Sequence, residues 1–240
     1  MRFLNAGDSA LVVEFGNEIS EAINRTIKFV TDALDRANLQ GVLDLTPTYR
    51  SILINFDPLR VPASSITDFV TKTLAAWSGS SGASGGEVIE IPVLYGGGMG
   101  PDLDFICKHT GLGSAEVIRR HSSIEYLIYM LGFTPGFAYL GGMPAELATP
   151  RLAKPRALIP AGSVGIAAAQ TGIYPVESPG GWQLLGRTPL KIFNYERSDP
   201  FLLAAGSYLK FVPISGEEYE AIEKAENEGS YQPKRYRKAG

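Results

Sequence analysis

The sequence predicts an α+β amino-terminal domain, built from a small sheet with two helices, followed by a mainly-β barrel domain. Three observations indicate this fold class. Strand and amphipathic-helix patterns alternate over residues 1–78, a stretch rich in glycine and serine follows at 79–86, and residues 87–228 carry many short strand patterns separated by glycine and proline. We therefore expect two domains joined by a flexible linker, with a basic tail at 229–240.

The amino-terminal domain is predicted to have the element order β-β-α-β-β-α. The apolar and β-branched stretch Ser9–Phe15 predicts a strand. Asn17 is then predicted to cap a helix whose apolar face recurs every three or four residues, at Ile19, Ile23, Ile27, Val30 and Leu34. The remaining elements are two strands and a helix, at Val42–Leu45, at Ser51–Phe56 and from Pro62 through the capping pattern Ser65–Asp68.

The second domain is predicted to begin with a strand at 88–95 and two short helices at 102–109 and 114–121. Further strands are predicted at Glu125–Leu131, Ala157–Pro160, Val164–Gln170, Trp182–Leu185, Leu190–Asn194 and Tyr208–Pro213. Many short strands with little helix indicate a closed or nearly closed barrel. A last helix is predicted from the capping box at Ser215, and the basic tail after it is predicted to be a frayed, solvated terminus.

Composition excludes several classes of function. The 240 residues carry 22 Lys and Arg against 25 Asp and Glu, a net charge of -3, so no global charge attracts the chain to nucleic acid or to an anionic membrane. No apolar run approaches the ~20 residues of a membrane helix and the start does not resemble a secretory signal, so we expect a cytoplasmic protein. The single cysteine, Cys107, cannot form an internal disulfide.

No metal or nucleotide site is predicted. The two histidines, His109 and His121, lie on separate short helices without a carboxylate or thiol at metal-ligand spacing. The chain has no G-x-x-x-x-G-K-[ST] loop, and Gly96–Gly100 lacks the glycine spacing and the long following helix of a dinucleotide fingerprint. Any phosphate chemistry is therefore expected to depend on a partner.

The most informative segment is Ile124–Gly142, in which glycines and a proline alternate with large apolar and aromatic side chains. Glycine lets backbone N–H groups approach a ligand closely, and aromatic side chains exclude water. One interpretation is a pocket rim walled by Phe133, Phe137 and Tyr139. The alternative is that the glycines turn the corners of the barrel while the aromatic side chains fill its interior.

A second segment, Thr149–Arg156, places two prolines beside basic side chains. A stiffened backbone lowers the entropy lost when an arginine grips a carboxylate or phosphate with two hydrogen bonds. Arg151 and Arg156 are therefore candidate ligand-binding residues. The alternative is that both belong to an ordinary solvated face.

A third segment, Gln170–Pro189, alternates polar side chains with glycine and proline, which indicates a functional site or an interface. Its candidate substrate-binding side chains are Gln170, Trp182 and Arg187. Glu177 is a candidate acid or base, and His121, with an ordinary pKa near about 6.5, is a candidate proton carrier. Single residues of these two types are more often structural, and that alternative stays open.

These segments carry a family resemblance. GFTPGFAYLGG, the following TPR and KPR, and PAGSVGIAAAQTGIYPVESPGGWQLLGRTP closely resemble the family that includes the 5-oxoprolinase B subunit, the sporulation-kinase inhibitor KipI and proteins named allophanate hydrolase subunit 1. NAGDSALVVEFG and TPTYRSILINFDP extend the resemblance into the amino-terminal half. The second domain of this family is a cyclophilin-like β-barrel, which agrees with the barrel predicted from the strand pattern.

The resemblance implies a role in the ATP-dependent opening of the 5-oxoproline lactam to glutamate, in a complex with the A and C subunits of 5-oxoprolinase. The B subunit of this enzyme is similar to the front part of a carboxyltransferase domain, so the C subunit is expected to complete a composite site. ATP would be used by the complex, and this chain alone is expected to be inactive.

Residue types suggest how the roles would be divided. The side chains expected to grip the substrate carboxylate or a phosphoryl oxygen are Arg151, Arg156 and Arg187. Those expected to handle protons are His121, Tyr174 and Glu177. Those expected to exclude water are Phe137, Tyr139 and Trp182.

Two alternative functions remain open from the sequence. The first is a KipI-like inhibitor, a binding module that docks on a sensor histidine kinase and blocks phosphate transfer without chemistry of its own. The second is participation in a biotin-dependent system that degrades urea or allophanate.

Overall fold

The computed structural model describes residues 1–77 and 86–238, which form two compact units. The predicted linker at 79–86 lies outside the described residues except for Gly86. None of the helices within 1–77 and 86–238 combines the length and the apolar character that crossing a membrane requires.

The first unit is a four-stranded antiparallel sheet with two helices, as predicted. The strand order is β1-β2-β4-β3. The elements are β1 Arg2–Asn5, β2 Ala10–Glu14, α1 Glu21–Ala37, β3 Val42–Pro47, β4 Ser51–Phe56 and α2 Ala63–Ala75. Buried strand residues such as Val13, Ile52 and Ile54 form one core with helix residues such as Ile27 and Val30. Because the buried strand positions alternate in sequence, one face of the sheet carries the core.

Both helix starts in this unit differ from their predictions. The cap of α1 is Ser20, whose hydroxyl accepts a hydrogen bond from the backbone N–H of Ile23. Asn17 lies outside the helix, and its side-chain oxygen accepts from Arg50 instead. In α2 the helix starts directly after Pro62, without a side-chain cap, so the capping pattern Ser65–Asp68 lies inside the helix. The carbonyl of Pro62 accepts from the N–H of Ser65 at 3.0 Å, so the first turn closes on the backbone of Pro62.

The second unit is a nearly closed barrel. Its main sheet runs β10-β9-β12-β5-β13-β6-β7, with β14 also paired to β5, and its two end strands, β7 and β10, pack against each other. The elements are β5 Glu87–Tyr95, α3 Leu103–Thr110, α4 Ser114–Ser122, β6 Glu125–Leu131, β7 Ala138–Gly141, a 3-10 turn Ala145–Leu147, β8 Arg156–Ile159, β9 Ser163–Ala167, β10 Gln170–Ile173, β11 Ser178–Gly180, β12 Gln183–Arg187, β13 Tyr208–Pro213, α5 Gly216–Asn227 and β14 Arg235–Arg237. This architecture confirms the predicted fold class.

The strand β8 pairs with β11 in a separate two-stranded antiparallel sheet outside the main sheet. Inside the barrel, strand residues such as Ile91, Ile128 and Phe211 form a core with Ile106 of α3 and Val117 of α4. The two short helices therefore close part of the barrel interior.

Two predicted strands of the second unit are wrong in detail. The predicted strand Val164–Gln170 is divided between β9 and β10, because the chain turns at Ala168, which has a φ of 51°. Leu190–Asn194 forms no strand and contributes only an isolated bridge between Phe193 and Phe201. Its backbone donors are used by side chains instead, since the N–H of Lys191 donates to Glu226 at 3.1 Å.

The basic tail is not frayed, so that prediction is wrong. Its residues 235–237 form β14, antiparallel to the start of β5. Lys234, Arg235 and Lys238 form ion pairs with Glu90, Glu87 and Glu125 respectively. The sequence shows the positive charges of the tail but not the acidic strand edge, far away in the chain, that they meet.

Candidate functional site

His121 lies in the core of the second unit. Its ring stacks on Phe211 with centroids 4.5 Å apart, and its two nitrogens lie 2.8 Å from the Tyr95 hydroxyl and 2.7 Å from the Thr171 hydroxyl. The Thr171 hydroxyl gives its one hydrogen to the carbonyl of Gly165, so Nε2 of His121 is the donor to Thr171 and Nδ1 accepts from Tyr95.

Burial lowers the pKa of His121 to about 3, because the charged imidazolium is not solvated in the core. The imidazole is therefore neutral at neutral pH and closed off from water. The structure does not support the predicted proton-transfer role for His121, and it shows a buried histidine with both ring nitrogens hydrogen-bonded.

The aromatic cluster consists of Phe137, Tyr139, Tyr174 and Trp182. The ring centroid of Phe137 lies 5.2 Å from that of Tyr139, 6.2 Å from Tyr174 and 5.8 Å from Trp182, in edge-to-face contacts. Phe137, Tyr174 and Trp182 are buried and form a core separate from the barrel interior. These side chains pack on one another and on Ile159 of β8, so they fill space, but outside the barrel interior in which the alternative interpretation placed them.

Glycine is required behind this cluster. A Cβ on Gly172 would lie 3.2 Å from the Trp182 ring and 3.4 Å from the Phe137 ring, and a Cβ on Gly180 would lie 2.3 Å from the Tyr174 hydroxyl. These two glycines of the third segment therefore let the rings pack closely against the backbone, which leaves no space there for a ligand. Burial raises the pKa of Tyr174, so its hydroxyl keeps its proton at neutral pH.

Arg156 is engaged by the protein itself. Its Nη2 donates to Asp102 at 2.7 Å and its Nη1 donates to the Trp182 carbonyl at 3.3 Å. The other carboxylate oxygen of Asp102 accepts from the backbone N–H of Leu184 at 2.7 Å. This ion pair fastens β8 and the aromatic cluster to the loop before α3, which conflicts with the predicted substrate grip.

Arg151 and Gln170 lie at the surface near the aromatic cluster. Arg151 is exposed, and within residues 86–238 it forms no ion pair, although its charge acts to lower the pKa of Tyr174. Gln170 begins β10 opposite Ala167. Neither residue lines the cavity described next.

A cavity of about 560 Å³ lies beside the aromatic cluster. Arg187, at the end of β12, and Glu177, in the loop after Tyr174, both line it, and we call it the Arg187 cavity. Its wall also contains Lys191 and two side chains of α5, Tyr219 and Glu223. The structure thus brings together Glu177 and Arg187, and it separates both from His121.

Arg187 is held in place without a carboxylate partner. In the described part of the chain it forms no ion pair, and its Nε is buried with no hydrogen-bond partner. The positive charge of Arg187 acts to lower the pKa of Tyr219 and the negative charge of Glu223 acts to raise it, so these three side chains are neighbours in the cavity wall. Burial is the main cause that raises the pKa of Tyr219, so this hydroxyl remains a donor at neutral pH.

Close backbone packing fixes the position of Arg187. Gly162 has a φ of +79°, and a Cβ there would lie 2.4 Å from the carbonyl oxygen of Thr188, so only glycine fits. The carbonyl of Gly162 accepts from the N–H of Thr188 at 2.9 Å. On the other side, Gly136 of the first segment packs against Pro175 and Phe193 of the cavity wall. Segments that are distant in sequence therefore meet at this cavity.

Sequence reasoning missed Tyr219, Glu223 and Lys191. The capping box predicted the helix α5 correctly, and the spacing of four between Tyr219 and Glu223 places them on one helical face. That spacing is the feature of the sequence that could have grouped Tyr219 with Glu223. Nothing in the sequence indicated that this face meets Arg187.

Two features bear on metal and phosphate binding. Within residues 1–77 and 86–238 no three His, Cys, Asp or Glu side chains are grouped as metal ligands. In the loop Gly96–Gly100 the N–H of Gly96 donates to the carbonyl of Leu185, and the N–H of Gly100 donates to the carbonyl of Gly96. A Cβ on Gly100 would lie 2.1 Å from the Leu185 carbonyl, so this glycine serves packing and not a phosphate.

The chain is similar to proteins of known family. It matches the family model described as carboxyltransferase domain, subdomain C and D, over residues 1–203. It is 41% identical to the 5-oxoprolinase B subunit of Bacillus subtilis (strain 168) over 231 residues, which cover 92% of this chain and 96% of the relative. It is also 41% identical to the 5-oxoprolinase B subunit of Escherichia coli O157:H7, over 86% of this chain and 93% of the relative.

Solved structures give the same fold. The crystal structure of TTHA0988 in space group P212121 is 36% identical, with a TM-score of 0.77, over 86% of this chain and 40% of that chain. The K. lactis urea amidolyase is 21% identical, with a TM-score of 0.78, over 98% of this chain and 16% of that chain, and shows the fold alone. The chain thus spans less than half of either solved chain. On these matches, it belongs to the carboxyltransferase domain, subdomain C and D, family.

Proposed function

We propose that this chain is the B subunit of a 5-oxoprolinase, which opens the lactam of 5-oxo-L-proline to L-glutamate at the expense of ATP. The observation that carries the proposal is 41% identity to a 5-oxoprolinase B subunit over nearly the whole length of both chains. The Arg187 cavity supports it, because an arginine without a carboxylate partner suits a substrate that carries a carboxylate.

Arg187 is the side chain that grips the substrate carboxylate in this proposal. Its guanidinium is oriented by Tyr219 and by the packing of Gly162, so little entropy is lost when an anion binds. Arg156 is a structural residue in this proposal, since its guanidinium already donates a hydrogen bond to Asp102. Arg151 is the competing candidate, exposed and outside the cavity.

Glu177 is the residue of this chain that exchanges a proton with the ring nitrogen of the substrate. It lines the same cavity as Arg187 and is exposed to solvent, so a proton can reach it. Tyr174 and Trp182 act indirectly, as a rigid wall on the other side of the loop that carries Glu177.

Partner chains supply the remaining parts of the reaction. In this proposal the steps that use ATP are assigned to the partner subunits. Homologues of the 5-oxoprolinase A and C subunits complete the enzyme, and the chain alone has little activity. No specific observation favours the kinase-inhibitor alternative or the urea-degrading alternative.

Co-expression with homologues of the A and C subunits tests the proposal. The complex should release glutamate from 5-oxoproline only with ATP. Arg187→Met should lower kcat/KM about 10- to 100-fold, the usual value of hydrogen bonds to a charged group. Arg187→Lys should recover part of it, and Arg119→Gln, a change on the exposed face of α4, should have no effect. A complex with no ATP-dependent glutamate release would refute the function. A loss of kcat/KM with Arg151→Met but not with Arg187→Met would assign substrate-carboxylate binding to Arg151.

A further inference from the structure

The wall of the Arg187 cavity carries both signs of charge. Arg187 and Lys191 are its cations, and the carboxylates of Glu177, Glu196 and Glu223 line the same space. We propose that the cavity binds the ring-opened product, an α-amino dicarboxylate zwitterion, more tightly than it binds the lactam substrate. This inference rests on the proposed function and adds that the cavity retains the ligand in its ring-opened form.

The cationic side of the cavity is already prepared for a carboxylate. Arg187 lines the cavity and forms no ion pair among the described residues, so its charge is not neutralised by a carboxylate of the chain. Its Nε is buried, which leaves the terminal nitrogens of the guanidinium as the donors for a ligand. A carboxylate that pairs with them makes a strong charge-assisted contact.

The anionic side suits an ammonium group. Glu223 lines the cavity, and a carboxylate can accept several hydrogen bonds, so it serves as an acceptor toward a ligand there. Glu177 approaches from the loop between β10 and β11, on a different element from Glu223. An ammonium with three donors can therefore be shared between carboxylates from two walls.

The reaction creates such an ammonium only in the product. Hydrolysis breaks the ring C–N bond, and the oxygen of water bonds to the carbonyl carbon to give a second carboxylate. The nitrogen keeps its own hydrogen, takes up the two hydrogens of water and becomes an ammonium at neutral pH. The lactam nitrogen of the substrate, in contrast, carries no charge. Glu177 and Glu223 therefore have a charged partner only after ring opening, while Arg187 has one before and after.

The volume is compatible with this ligand. About 560 Å³ lies within the usual range of small-molecule sites, and an amino dicarboxylate leaves room for bridging water. A chain that holds the product more tightly than the substrate should make the complex sensitive to inhibition by glutamate.

Isothermal titration calorimetry on the full chain tests the inference with three probes: L-glutamate, glutarate, which lacks the ammonium, and 5-oxo-L-proline. We expect glutamate to bind about tenfold more tightly than either of the others. Glu177→Gln with Glu223→Gln should reduce the ratio of glutamate to glutarate affinity toward one. Arg187→Met should weaken both ligands, and Arg119→Gln should weaken neither. Circular dichroism melts check that each variant is folded, and Arg187→Lys replaces Arg187→Met if that variant is not.

Three results overturn the inference. The first is glutamate binding no tighter than 5-oxo-L-proline or glutarate. The second is no heat with glutamate at millimolar concentration. The third is a preference for glutamate over glutarate that survives both glutamine substitutions. These outcomes are separate from failure of the proposed function, in which the reconstituted complex lacks ATP-dependent activity on 5-oxoproline although the chain binds glutamate as expected.

Discussion

The aromatic cluster and the Arg187 cavity both draw on the segment Gln170–Pro189, and the arginine beside each of them is used in the opposite way. Beside the cluster, Arg156 is paired with Asp102 and bonded to a backbone carbonyl. In the cavity, Arg187 contacts a tyrosine hydroxyl and no carboxylate pairs with it within the described ranges. The comparison teaches that the partner of an arginine, rather than its place in a glycine-rich motif, decides whether it is available to a ligand.

The largest expected effect concerns the aromatic cluster. Phe137→Ala should lower the free energy of unfolding by about 3–5 kcal/mol, because a large buried ring is removed from contact with four others, of which only Phe133 is exposed. Phe133→Ala is the matched control, since Phe133 is 73% exposed, and it should cost about 1 kcal/mol or less. Urea unfolding measures both, and equal losses would show that the cluster is not a core.

The next effect concerns pH. The pKa of His121 is lowered from 6.5 to about 3 in the folded chain, so the unfolded chain binds a proton that the folded chain does not as pH falls below about 6.5. Folding stability attributable to His121 is complete above that pH and should be lost by roughly 1.4 kcal/mol per pH unit between about 6 and about 3. Urea unfolding at pH 7, 5 and 4 measures the slope. His121→Gln should flatten it, and an unchanged slope would contradict the buried neutral state.

A smaller effect separates the arginines. Arg156→Met should cost about 2 kcal/mol of stability, because it leaves the carboxylate of Asp102 nearly buried and unpaired. Arg187→Met should change stability less and ligand binding more. Thermal unfolding together with calorimetry on both variants checks this, and the reverse pattern would exchange the two roles.

The smallest effect concerns the tail. Replacing Lys234, Arg235 and Lys238 with glutamine should cost about 1 kcal/mol, because these surface ion pairs are weak individually. High salt should reduce the difference by screening. Thermal unfolding at low and high salt measures it, with glutamate binding as the control that should not change, since the tail residues that are replaced contact neither the cluster nor Arg187.

Much of the fold was predictable because it depends on residues that are close together in the sequence. The alternating residues of β2 and β4 and the spacing of Ile27, Val30 and Leu34 in α1 reflect which side of each element is buried. The capping box at Ser215 gave the start of α5, since both of its hydrogen bonds form within four residues. The strand β14 was missed, because its stability comes from pairing with β5, about 150 residues earlier in the chain.

The site was predictable only in part, for the same reason. Glu177 and Arg187 were candidates by residue type, and whether they share a cavity depends on how β12 and the loop after β10 lie in space. Arg156 and His121 were equally plausible candidates by residue type. Their partners, Asp102, Tyr95 and Thr171, come from distant parts of the chain, and no local pattern connects them.

The pairing of β14 with β5 also brings the two ends of the second unit together. The backbone N–H of Lys238 donates to the carbonyl of Gly86 at 3.0 Å. A short peptide could therefore join these ends, and a new start could be opened at the exposed turn between α3 and α4 around Gly111. Such a circularly permuted barrel would keep every strand pairing of the present one.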